Sequence, residues 1–259
     1  MNNKVLEIKN LTLEYKSKKV LGDKSNKALE NVSFDLYEGE IVLLSGANGS
    51  GKSSILSSII GNLESVKSIK GSIIYDSVDL LKENDIQFFR RLIGYVRQYD
   101  EFYEKTCIKE VLSSVNLFGG YKMSVNEVKD MFVEYGFENY INENPSNLSG
   151  GQKRLLSILL ALVRARGAKL FLIDEPINNL DFDTACRVSN MITKIHKLYP
   201  TLSMLIVTHC HVFPIVDRVI KIEKGCILNS NIKYECHNCF GDVDKNGFYN
   251  IELNKNYRH

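Results

Sequence analysis

Gly46-Ala-Asn-Gly-Ser-Gly-Lys52-Ser53 decides how the rest of this 259-residue chain is read. It follows Ile41-Val-Leu-Leu44, a short apolar run that predicts a buried strand. It precedes a stretch with Ile55, Leu56, Ile59, Ile60 and Leu63 at helical spacing. A glycine-rich turn between a strand and a helix lets backbone N–H groups point inward around phosphates, and the helix adds the positive end of its dipole. The segment satisfies G-x-x-x-x-G-K-[ST] in full, so Lys52 can reach the β- and γ-phosphates of a nucleotide and the Ser53 hydroxyl can hold Mg²⁺.

Leu170-Phe-Leu-Ile-Asp174-Glu175 supplies what such a loop needs next. Its apolar residues predict a second buried strand, and ligands collect at the C-terminal ends of strands in open α/β sheets. A carboxylate there, Asp174, suits Mg²⁺ directly or through water, and Glu175 beside it suits polarising an attacking water.

Working outward, Val5 to Tyr37 alternates apolar and polar residues and predicts strands of an antiparallel sheet, with polar Lys16 to Lys27 as a loop or hairpin tip. Asp100 to about Asn144 shows helical periodicity, as in Val128, Met131, Phe132 and Tyr135, and reads as an inserted helical subdomain. An apolar helix then runs through Leu159 and Val163. Strand Leu170–Ile173, a helix near Thr184–Leu198 and strand Met204–Val207 follow in alternation. The fold class expected is α/β: a phosphate-loop NTPase core with a mainly parallel sheet, an N-terminal antiparallel β subdomain and the inserted helical subdomain.

Composition sets bounds on this reading. Hydrophobic residues make up 44% and charged residues 25%, an ordinary globular balance with ample material for a core. A net charge of +2 gives no electrostatic case for nucleic acid or an anionic membrane as main partner. No apolar run approaches the roughly 18 to 20 residues of a membrane span, and the first residues lack the apolar core of a secretory signal. Six cysteines without a small disulfide scaffold point to reduced thiols and a cytoplasmic setting.

Leu148-Ser149-Gly150-Gly151-Gln152, between the two nucleotide motifs, together with the order of those motifs, resembles the ATP-binding cassette (ABC) proteins. Read alone, Ser149 also suits a helix N-cap. The resemblance covers about residues 5 to 228 and implies a head-to-tail dimer with two composite sites, in which Ser149 and Gly151 contact the γ-phosphate of ATP bound on the other subunit. It implies ATP and Mg²⁺ as cofactors, bound by Gly46, Ala47, Asn48, Gly49, Ser50, Gly51, Lys52, Ser53 and Ser54 on one side and Ser149 to Gln152 on the other. Gln98, after Ile93-Gly-Tyr-Val-Arg, corresponds to the Mg²⁺-sensing glutamine, and Asp181 in Asn179-Leu-Asp to the loop that crosses the dimer interface. His209 corresponds to the switch histidine and Tyr15 to the aromatic stacked on adenine, although Tyr37 lies nearer the glycine loop in sequence; His211 reads as surface. The chemistry implied is phosphoryl transfer to water. Glu175 orients the water, His209 and Lys52 stabilise the γ-phosphate charge, and Ser53, Gln98 and Asp174 place Mg²⁺.

Separate membrane permease subunits are then the expected partners, contacted near Tyr99–Glu110, with the chain peripheral at the inner face of the membrane and no nucleic acid bound. Asp174-Glu-Pro-Ile-Asn-Asn-Leu-Asp181 is similar to the D-P-T-G-N-L-D ending of lipoprotein-releasing and macrolide- or peptide-efflux ATPases, as is the long gap between Tyr15 and Ala28. Ile177 and Asn178 depart from the usual Thr-Gly, and Gln152-Lys-Arg-Leu-Leu from the usual Gln-Gln-Gln-Arg-Val. Export or extraction of a peptide, lipid or drug is the leading expectation. Import of a vitamin or metal, and a non-transport role in iron–sulfur cluster assembly, stay open.

Residues 1–228 form the expected ATPase domain, with the helical subdomain at about 99–165, and residues 229–259 a strand-rich appendix. In the appendix, Cys236-His-Asn-Cys239 offers half of a tetrahedral zinc site that Cys226 and a histidine such as His237 would complete, or that two tails would share across a dimer, against a redox-labile pair or incidental thiols. Asp242-Val-Asp-Lys-Asn-Gly247 imitates the start of a calcium loop, but Leu253 stands where the bidentate Glu belongs. A hairpin turning at Lys245-Asn-Gly is the better expectation.

Overall fold

Continuous apolar runs serve as strands only where both faces of a sheet are covered, and the central sheet meets that condition. The computed structural model describes residues 3–16, 27–83, 88–89, 91–98, 101–118, 122–164, 167–208, 212–234 and 243–249. Four strands form an antiparallel sheet: β1 (Lys4–Tyr15), β2 (Lys27–Tyr37), β4 (Val66–Tyr75) and β5 (Val78–Asp79), in the order β2-β1-β4-β5. Six form the central sheet: β3 (Ile41–Ser45), β6 (Ile93–Val96), β7 (Leu170–Asp174), β8 (Ser203–Val207), β9 (Arg218–Glu223) and β10 (Cys226–Lys233). Their order is β10-β9-β3-β8-β7-β6, parallel throughout except for the antiparallel pair β9–β10.

The two-residue period of a strand divides the side chains between two cores. Ile41, Leu43, Phe171, Ile173, Met204 and Ile206 face the first, with the helices α2 (Cys107–Phe118), α3 (Val125–Glu134), α4 (Gly150–Arg164) and α5 (Phe182–Leu198) contributing Val111, Val128, Leu159 and Ile192. Val42, Leu44, Leu170, Leu172, Leu205 and Val207 face the second, shared with the antiparallel sheet and with Ile55, Leu56 and Ile59 of α1 (Lys52–Ile59). The α/β class with a mainly parallel sheet thus follows from which face each alternate residue occupies.

Helix α1 is shorter than its apolar spacing predicts. Gly61, at φ 67°, donates to the Ser58 carbonyl, and Asn62 donates to the Ser57 carbonyl, the bond pair that closes a helix through a left-handed residue. Ile60 and Leu63 therefore lie past the helix and pack against the second core from the connection that follows. Helix α3 begins with a reciprocal cap between Ser124 and Glu127. Two 3₁₀ turns, Glu138–Tyr140 and Pro145–Asn147, lead from it into α4. Among the described residues, no helix is long and apolar enough to cross a membrane.

β10 spans Cys226–Lys233 and pairs along β9, so position 228/229 falls inside the central sheet's edge strand. Past it, Val243 and Tyr249 pair across the turn at Lys245-Asn-Gly, and the Asp244 carboxylate accepts from the Asn246 and Phe248 N–H groups. This hairpin is fastened to α5. The Asn190 side-chain amide exchanges two hydrogen bonds with the Tyr249 backbone, at 2.9 and 2.8 Å, and the buried Tyr249 hydroxyl donates to the Val212 carbonyl at 2.7 Å. Tyr249→Phe is expected to lower unfolding free energy by about 1 kcal/mol and Tyr249→Ala by about 3 kcal/mol or more, because only the second leaves a cavity. Denaturant titration of the two variants checks the difference.

Candidate nucleotide site

All the chemistry read from the sequence that falls on described residues of the parallel strands lies at their C-terminal edge. Strand β3 delivers the Gly46–Ser53 loop, β7 delivers Asp174 and Glu175, and β6 delivers Gln98 two residues past its end. Gly51, at φ 109°, is the N-cap of α1 and brings no side chain to cap the first N–H groups of the helix. Lys52 is buried and its ammonium donates to the Gly46 carbonyl at 2.7 Å and the Ala47 carbonyl at 3.1 Å. Burial holds that ammonium below the usual lysine range, while the charges of Glu175 and Asp174 oppose the shift.

Asp174 is buried, and burial lifts its carboxyl to about 6; Glu175 pushes the same way, and Arg154 and Lys52 oppose. Its Oδ1 is fully enclosed and has no hydrogen-bond partner among the described residues. A buried carboxylate oxygen left unpaired beside a serine-bearing helix start is a hard-ligand arrangement that fits Mg²⁺. Ser53 is exposed on the first turn of α1. An unfolded Asp releases its proton near 3.8 and this one near 6, so stability falls as pH rises between those values and the penalty, on the order of 3 kcal/mol, persists above them. Asp174→Asn is accordingly expected to raise the melting temperature of the nucleotide-free protein at about pH 7.5, to raise it much less near pH 4.5, and to abolish stabilisation by Mg²⁺ with ATP. Thermal scans at the two pH values test this.

Glu175 adopts φ 46°, a left-handed conformation that costs a non-glycine residue about 1–2 kcal/mol. Its N–H continues the ladder to the Val207 carbonyl at 2.8 Å, and its own carbonyl accepts from Arg154 at 3.3 Å. Arg154, buried on α4, also donates to the backbone carbonyls of Arg97 and Gln98. One guanidinium therefore ties the glutamine segment and the end of β7 to the helix that begins with the Ser149–Gln152 motif. A cation on the apolar face of a predicted helix is the signal that marks Arg154 in the sequence, and its role was missed there. Glu110, also missed, is buried and accepts the N–H groups of Tyr103 and Glu104, ordering the stretch that follows Gln98.

Tyr15 stands at the end of β1 with its hydroxyl donating to Ser54 Oγ at 3.1 Å, beside the glycine loop. Tyr37 is at the other end of β3, where its carbonyl accepts from Ser203 Oγ and Glu40 N–H. Proximity in sequence to the loop is thus misleading, because β3 carries the chain away from Tyr37 before the loop begins.

Ser149 and Gln152 cap α4 reciprocally: the Ser149 N–H donates to Gln152 Oε1 at 2.8 Å and the Gln152 N–H to Ser149 Oγ at 3.3 Å. The Gln152 amide also donates to the Tyr140 hydroxyl at 2.9 Å. A Cβ on Gly151 would stand 1.9 Å from Thr184 Cγ2, so packing against α5 explains that glycine. Gly150 differs. It is exposed, a Cβ there would meet nothing within 4 Å, and its φ lies outside the left-handed region. Nothing among the described residues requires it to be glycine. Asp181 caps α5 through the Thr184 N–H and hydroxyl.

His209, Cys236 and Cys239 lie outside the described residues, as do His211 and Tyr99. Cys226 is a free, half-buried thiol on β10, and among the described residues no group of three or more His, Cys, Asp or Glu side chains gathers for a metal.

Residues 29–178 match the ABC transporter family. HrtA of Staphylococcus haemolyticus, named as a hemin import ATP-binding protein, is 33% identical over 229 residues, covering 86% of this chain and 98% of HrtA. MacB of Campylobacter fetus subsp. fetus, named a macrolide export ATP-binding/permease protein, is 29% identical over 220 residues, covering 83% of this chain and 33% of MacB. Among solved structures, the dimeric post-hydrolysis state of the cassette MJ0796 bound to ADP and Pi superposes with a TM-score of 0.74 at 28% identity, covering 89% of this chain and 99% of that one.

Proposed function

Because the chain belongs to the ABC transporter family and is one of its ATPases, we propose that it hydrolyses ATP in sites shared with a second ATPase subunit and drives separate membrane permeases. The observation that carries this reading is Gly150. A glycine that neither backbone conformation nor packing within the chain demands, exposed at the start of α4, leaves room for a group from outside the chain. A phosphate of nucleotide held by the partner's glycine loop suits it, since the N-terminus of α4 presents N–H groups to an anion.

In that sandwich Lys52 and the loop N–H groups hold the phosphates, Tyr15 stacks on adenine, and Ser53, Asp174 and Gln98 place Mg²⁺. The metal supplies charge neutralisation at the β- and γ-phosphates when bound. Glu175 orients the attacking water, and His209 and Lys52 stabilise charge on the departing γ-phosphate. Ser149 and Gly151 reach the γ-phosphate of the partner's nucleotide beside Gly150, and Asp181 borders the partner. The two subunits sit at the inner face of the membrane through the permeases, which contact the chain near Tyr99–Glu110.

The cargo is exported or extracted from the membrane and belongs to the peptide, lipid or drug class. Support comes from the Asp174–Asp181 ending and from the likeness to MacB, named for macrolide export. Import is the second reading, favoured by the likeness to HrtA, named for hemin import. Affinity purification from membranes is expected to recover a polytopic membrane protein. With that complex in inverted vesicles, ATP should drive the test compound into the lumen; ATP-driven loss from preloaded inverted vesicles would reverse the direction, and recovery of soluble scaffold proteins alone would remove transport.

A further inference from the structure

The Gly151 backbone lies so close to Thr184 that a Cβ there would overlap the threonine methyl at 1.9 Å. The same threonine donates its hydroxyl to Asp181 Oδ2 at 2.7 Å and its N–H to Asp181 Oδ1 at 3.0 Å. Thr184 therefore touches the signature turn with its methyl and holds the Asp181 carboxylate with its polar atoms. These are two elements separated by β7 in sequence. Its grip on Asp181 is also the main reason that carboxyl sits below the usual aspartate range.

We propose that Thr184 is a positioning residue that joins the Ser149–Gln152 turn to Asp181, so that both present themselves to a partner subunit as one rigid face. This rests on the shared-site reading above. The physical argument is that a face assembled from two helix starts loses affinity if each must be ordered separately on binding. A residue bonded to one start and in van der Waals contact with the other removes that cost beforehand.

Two near-isosteric substitutions separate the two halves of the contact. Thr184→Val keeps the methyl against Gly151 and loses the hydroxyl bond to Asp181; Thr184→Ser keeps the bond and loses the methyl. Each is placed in the Glu175→Gln background, and dimer formation is followed by sedimentation as ATP with Mg²⁺ is raised. Both are expected to raise the ATP concentration for half-maximal dimer by about five- to tenfold, the scale of one hydrogen bond or one methyl contact. ATP affinity of the monomer, measured with a fluorescent ATP analogue in the dimer-blocked Gly150→Asp chain carrying the same Thr184 changes, is expected to stay the same, which a general loss of folding would not allow. Dimerisation of both variants at the parent's ATP concentration would overturn the proposal. If the Glu175→Gln parent itself stays monomeric at saturating ATP, the shared-site reading falls, and this inference with it.

Discussion

Glu175→Gln is expected to reduce ATP turnover by about 10²- to 10⁴-fold, the range attached to losing a general base, while ATP stays bound. The substitution is nearly isosteric. The left-handed backbone, the N–H bond to Val207 and the carbonyl bond from Arg154 do not depend on the side-chain charge. What changes is the capacity of the terminal group to accept a proton from water. A second effect works in favour of binding: Glu175 is one of the charges that raise the Asp174 carboxyl, so removing it eases ionisation of Asp174 and its hold on Mg²⁺. Loss of hydrolysis with undiminished nucleotide affinity is the expected pair of results, measured by phosphate release and by equilibrium binding. Near-normal hydrolysis would remove Glu175 from this role.

Gly150→Asp is expected to cost as much activity, at least about 100-fold, without altering the fold. A Cβ at this position meets no described atom within 4 Å and needs no left-handed backbone, so far-UV circular dichroism and melting temperature should match the parent. Its carboxylate, however, would stand where a partner's phosphate approaches. A like charge at such a contact costs several kcal/mol. Gly151→Ala makes the contrast, because its methyl collides with Thr184 inside the chain and should lower stability even without nucleotide. The two variants thus separate a glycine that packing inside the chain requires from an adjacent one with open space around it.

Much of this was legible in the sequence because strands buried on both faces read as apolar runs, and the loops at their ends carry recognisable chemistry. Gly46–Ser53 and Leu170–Glu175 fall for that reason at the same edge of the sheet, at the C-terminal ends of β3 and β7 on either side of β8. The reading of Ser149 as an N-cap holds, since its side chain closes a reciprocal cap with Gln152. Less accessible were contacts that exist only once distant elements meet. Arg154 reaching Gln98 and Glu175, Tyr140 reaching Gln152 and Thr184 reaching Gly151 each join separate elements, which no local periodicity encodes. The early end of α1 hinged on a single glycine after Ile60, a cap that outweighs the apolar spacing beyond it.

The central claim is that the working site is built from two chains. Its most direct measurement is sedimentation of the Glu175→Gln protein with ATP and Mg²⁺, alone and with Gly150→Asp added. A nucleotide-dependent dimer that retains one ATP per chain is expected, and a Gly150→Asp form that binds ATP yet stays monomeric. A Glu175→Gln protein that remains monomeric at saturating ATP, or a dimer indifferent to Gly150→Asp, would contradict that claim.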